Sequence, residues 1–186
     1  MAWQGIAVLA VAFTAPLSAC AQHTTDPDPA SANLIPNGSF ERNGQATLDT
    51  WQVPSPALAS SSPEAAPGGG SWSLRLEADA APSSGQVRFR VEGLRDRDTV
   101  RLSAYVRAAD PRGGGLVGLE VISAAGLVRQ KPVASSVDMA WVRVALTETL
   151  SLEPGDAVWV VLSSPPTQLA ARIGLFDLVT LERLGG

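Results

Sequence analysis

The chain is short of the residues that carry most polar chemistry. Among its 186 residues there is one cysteine, Cys20, and one histidine, His23. A single cysteine excludes an internal disulfide and any cysteine metal cluster. A single histidine excludes the two-histidine zinc helix and leaves His23 as the only imidazole base on offer. Positive charge is scarce as well. Fourteen Lys and Arg stand against eighteen Asp and Glu, a formal net charge of -4. A general nucleic-acid partner is thereby excluded, since it requires a basic face for phosphates. Aromatic residues make up only 5 % of the chain, but five of them are Trp. Hydrophobic residues reach 45 %, enough for a packed core rather than a disordered chain.

The first twenty residues read as an address. Ile6 to Leu17 is an apolar run too short to span a bilayer, which takes about twenty residues, but suited to a secretory signal. Leu17-Ser18-Ala19-Cys20 follows and resembles the bacterial lipoprotein box, in which the cysteine thiol receives the lipid. The expectation is a signal peptide over 1–19 and a lipidated Cys20 as the mature N-terminus. Acylation at more than one point makes such an anchor stable. Ala21 and Gln22 follow the cysteine; the lack of Asp there resembles lipoproteins sorted to the outer membrane. Residues 20–32 form a polar tether with two Asp-Pro steps, and His23 falls within it. The folded domain, 33–186, is then left without a histidine.

From Asn33 onward the periodicity is two. Val87, Phe89 and Val91 alternate with Gln86, Arg88 and Arg90; Leu102, Ala104 and Val106 alternate with Ser103, Tyr105 and Arg107. Runs around Val117–Val121, Val142–Leu146 and Val158–Leu162 do the same, and Ser73–Glu77 and Arg172–Leu181 complete the set. Glu92-Gly93, Asp110–Gly115, Ala125-Gly126 and Pro154–Asp156 supply turns between them. Short alternating strands with frequent turns predict an all-β antiparallel sandwich or barrel. Pro54 to Gly70 reads as a long exposed loop. Gly113, Gly115 and Gly118 match a dinucleotide fingerprint, but a strand rather than a helix follows, so they read as hairpin glycines. Asn37-Gly38-Ser39 reads as a turn.

The order of landmarks resembles a known family. Asn33–Glu41 (NLIPNGSFE) is similar to the opening of carbohydrate-binding modules of the cellulose- and xylan-binding jelly-roll type. Trp51, Gly70–Leu76, Val100–Arg107, Trp141–Val144 and the closing Phe176–Leu181 follow in the family's order. The resemblance spans 33–184 and implies a galactose-binding-like jelly roll that binds sugar without catalysis. It also implies a structural calcium near Glu41 and Asp177. Leu178 stands where the family often has a second Asp, which removes one ligand.

If neighbouring strands share a sheet, Arg88, Arg90, Tyr105, Arg107, Glu120 and Trp159 project from one face. Aromatic rings stack on the C–H faces of sugars, and Arg and Glu reach hydroxyls. An Arg-rich face suits an acidic polysaccharide, because guanidinium pairs bidentately with carboxylate; an ordinary solvated face of weak ion pairs is the other reading. Trp51 and Trp141 read as structural. Trp72, at a loop-to-strand junction, joins Trp159 as a stacking candidate. The acids are scattered, and nothing marks two of them as facing across a cleft for glycoside hydrolysis. The sequence thus points to a lipid-anchored, non-catalytic glycan-binding protein of the cell envelope. A lipoprotein using the same sandwich for contacts with an envelope protein partner is the alternative, and an accessory domain serving a separate glycosidase chain is a third.

Overall fold

The period-two runs form strands because β-branched residues alternate with polar ones, so that each strand buries one edge of its pleat. A computed structural model describes residues 32–78, 85–164 and 172–185. The apolar run Ile6–Leu17, Cys20 and His23 lie outside the described residues. Among the described residues twelve strands occur in chain order: β1 (Glu41–Arg42), β2 (Gln45–Ala46), β3 (Ala59–Ser62), β4 (Ser73–Ala78), β5 (Gly85–Val91), β6 (Thr99–Ala108), β7 (Gly115–Ile122), β8 (Val128–Gln130), β9 (Val133–Ser136), β10 (Val142–Thr149), β11 (Ala157–Ser164) and β12 (Arg172–Gly185). β1 and β2 make a separate hairpin. One sheet runs β10-β6-β12-β4-β3; the other runs β5-β11-β7-β8, with β9 also on β7. Every pairing among these strands is antiparallel.

The inner faces meet in one core. Leu74, Leu76, Leu102, Ala104, Val106, Phe176 and Leu181 of the first sheet lie against Val87, Val117, Leu119, Val160 and Leu162 of the second, all buried. Phe40 and Trp51 close one flank, with ring centroids 5.4 Å apart, and the Trp51 indole N–H donates to the Asn37 carbonyl at 2.9 Å. Trp51 is therefore structural, as its place in the sequence implies. Burying a large apolar side chain in such a core contributes about 1.5–3 kcal/mol.

Three features depart from the sequence reading. Pro54–Gly70 is not simply an exposed loop. It holds a 3-10 turn, Pro56–Leu58, and the edge strand β3, whose Ser60 pairs with Arg75. Its Ser/Ala/Pro composition lacks an alternating apolar set, so only the backbone pairing reveals the strand. The short strands β8 and β9 likewise lie outside the alternating runs. Lastly, β5 and β6 are consecutive in sequence but lie in different sheets, because the 92–98 connection crosses between layers.

Candidate binding face and carboxylate pair

That crossing divides the expected face. Residues opposed across an antiparallel ladder point to the same side. On the outer side of the second sheet, Trp159 of β11 is opposed by Arg90 of β5 and by Glu120 of β7. In the next row Val161 is opposed by Arg88 and by Gly118. Arg88, Arg90, Glu120 and Trp159 therefore do share one face. Tyr105 and Arg107 do not: they sit on the outer side of the first sheet, where Tyr105 is opposed by Arg143 and Asp177. The reason is physical. Alternation sets the phase of side chains within a strand and carries no information about which sheet the strand joins.

On the Trp159 face the Arg88 guanidinium carbon lies 5.3 Å from the indole centroid, a cation–π contact worth about 0.5–2 kcal/mol. Arg88 Nε is buried and finds no acceptor among the described residues. Arg90 pairs with Glu92 at 3.1 Å, both largely exposed. Glu120 is buried at 5 % exposure and receives the Lys131 ammonium at 2.8 Å. Val161 is buried beside the indole, and Gly118 is covered by Val133 and Pro132: a Cβ there would fall 3.1 Å from Val133 Cγ1 and 3.2 Å from the Pro132 carbonyl oxygen. Two residues that sequence reasoning missed complete the rim. Gln52 is exposed and exchanges both backbone hydrogen bonds with Arg88, which places its amide side chain on this face. Lys131 sits between β8 and β9. Neither lies in an alternating run, so neither carries a signal.

Trp72 stands elsewhere. It is half-buried before β4, and its indole N–H donates to the Gly44 carbonyl in the β1–β2 turn at 3.2 Å. An open polar recess of about 440 Å³ lies beside that hairpin, lined by Arg42, Asn43, Gln45, Ala46, Thr47 and Asp49. Trp72 thus does not join Trp159 in a single site. Arg107 is tied down by Glu64 and by the Met139 carbonyl, so it braces loop 63–71 rather than standing free for a ligand.

Glu41 and Asp177 do meet, over the outer side of the first sheet. Asp177 is fully buried. Its Oδ2 accepts the Ala66 N–H at 2.8 Å, and its Oδ1 accepts the Leu178 N–H at 2.7 Å. Glu41 Oε2 accepts the Ser71 N–H at 2.9 Å. Burial pushes the Asp177 carboxyl up to about 6; the Ala66 and Leu178 amides oppose the rise, and the neighbouring Glu41 adds to it. Loop 63–71 presses onto the pair. A Cβ on Gly69 would fall 2.0 Å from Asp177 Oδ2, and one on Gly70, whose φ is +86°, would fall 1.9 Å from Glu41 Oε1. No three of His, Cys, Asp and Glu cluster among the described residues. Two carboxylates in a close backbone cradle nevertheless suit a hard cation whose other ligands are carbonyl oxygens.

No known family profile matches the sequence, and no curated protein does. Solved structures do match. The CBM22-1 xylan-binding domain of Paenibacillus barcinonensis Xyn10C is similar with a TM-score of 0.61 at 16 % identity, over 86 % of this chain and 99 % of that one. The CBM22-1-CBM22-2 tandem of the same protein gives 0.63 at 18 % identity, over 84 % of this chain and 47 % of that one. A family 61 module solved with β-1,4-galactotriose gives 0.55 at 18 % identity, over 82 % of this chain and 99 % of that one. At these identities the likeness establishes the fold: an all-β jelly-roll sandwich of the kind carbohydrate-binding modules use.

Proposed function

We propose that this protein is a non-catalytic glycan-binding domain that engages saccharide on the outer face of β5, β11 and β7. The observation that carries the reading is Trp159. It is a partly buried indole at the centre of a sheet, flanked in register by Arg90 and Glu120 and held by Arg88. Sugar sites combine an apolar platform with a few placed polar groups, and this face has both. The fold shared with modules that bind xylan and β-1,4-galactotriose supports the same reading. Glycan-array binding by the full chain tests it. Binding should disappear in Trp159→Ala while the protein stays folded, with a cooperative thermal transition; binding that survives the substitution refutes this face as the site.

Two further parts belong to the proposal. Glu41 and Asp177 would hold a calcium ion together with backbone carbonyls. The ion would neutralise both carboxylates and brace loop 63–71 against the first sheet. The sequence around Cys20 supports a lipid anchor in the bacterial envelope, with the outer membrane as its destination. Replacing Cys20 with Ala should release the protein to the soluble fraction, and a variant that still sediments with membrane overturns the anchor.

A further inference from the structure

We infer that the Trp159 face selects a carboxylated sugar, a uronic-acid saccharide, and that Arg88 is the residue that reads the carboxylate. The inference rests on the glycan reading of that face and adds the ligand's chemical class. It starts from an unmatched donor. Arg88 makes no ion pair with any described carboxylate, and its Nε is shut away from water without an acceptor. A buried donor left unmatched carries a desolvation cost that a ligand acceptor would remove. The planar guanidinium fork matches a carboxylate better than it matches any single hydroxyl.

The surroundings agree in sign. Arg90 lies two residues along the same strand and on the same side. Its partner Glu92 is 78 % exposed, so that pair is weak and readily exchanged for a ligand anion. The second acid, Glu120, is already neutralised by Lys131. It can accept from a sugar hydroxyl without repelling a carboxylate. With Arg88, Arg90 and Lys131 against Glu120 and Glu92, the face is locally cationic on a chain whose formal net charge is -4.

Isothermal titration of the full chain with short galacturonate and mannuronate oligosaccharides, and with their methyl esters, tests this. The ester keeps the ring and removes the charge. The free acid of at least one series should bind about tenfold or more tightly than its ester, the size of a charge-assisted contact. Arg88→Gln should erase that preference while the thermal midpoint falls by no more than about a few degrees for the lost cation–π contact, and Arg88→Lys should restore part of it. Equal binding of acid and ester, or a preference that persists in Arg88→Gln, overturns the inference. Neutral oligosaccharides that bind through Trp159 while no uronate binds also overturn it and leave the glycan reading standing. No binding to any saccharide removes both.

Discussion

Asp177 offers a measurement in which the sign is as informative as the size. Its carboxyl sits at about 6 in the folded protein against an ordinary value of 3.8. Between those values the folded state holds a proton that the unfolded chain has released. The group therefore contributes stability at low pH, and that contribution is lost as pH rises through 6. A rise of this size corresponds to about 3 kcal/mol as an upper limit; relaxation of loop 63–71 reduces it, and about 2 kcal/mol is a working figure. Other acids titrate in the same range, so the quantity to read is a difference. Denaturant unfolding of the wild type and of Asp177→Asn, both in EDTA, is compared at roughly pH 5 and pH 8. The fixed cost of replacing one acceptor oxygen is common to both pH values and cancels. Wild type should lose about 1 kcal/mol relative to the variant between the two, because about half of the full effect is already lost below pH 5. Equal slopes, or a wild type that gains on the variant as pH rises, refute the account of Asp177 as a carboxyl whose charged form burial disfavours. With calcium added the slope should invert, because the ion binds the ionised form.

Other outcomes follow from the packing and the faces. Phe176→Ala removes a fully buried ring and should cost about 3–5 kcal/mol, read as a fall in the denaturation midpoint at unchanged m-value. Gly38→Ala would set a Cβ 1.9 Å from the Val179 carbonyl oxygen, where the Val179 N–H also donates to Gly38 at 2.8 Å. The forced separation should cost about 1–3 kcal/mol, and an unchanged thermal midpoint would contradict it. Tyr105→Ala should leave glycan affinity within about twofold of wild type, because Tyr105 lies on the opposite outer face from Trp159; a titration showing loss of binding would place the site on the wrong sheet.

Much of the sandwich is legible in the alternation of residues such as Val87, Phe89 and Val91, or Val158, Val160 and Leu162. The phase within β5, β7 and β11 is enough to predict that Arg88, Arg90, Glu120 and Trp159 face away from the core. It does not reveal that β6 leaves β5 for the other layer, so nothing in the alternation separates Tyr105 and Arg107 from residues they never meet. Glu41 and Asp177, far apart in the chain, come together because β12 bulges after Asp177 and the 37–41 turn docks on that bulge through Gly38 and Val179. Neither the bulge nor the turn leaves a periodic trace. β3, β8 and β9 escape for a related reason. Edge strands bury little, and so their side chains need not alternate.

The loop over Asp177 has a consequence for valency. By roofing part of the first sheet, and by engaging Arg107 through Glu64, it leaves the Trp159 side as the sugar face of the proposal. A protein with one such face saturates a polysaccharide without bridging two chains of it. Cross-linking or agglutination would then require many copies displayed side by side on a common surface, so a soluble copy would coat its ligand and an array of anchored copies would grip it.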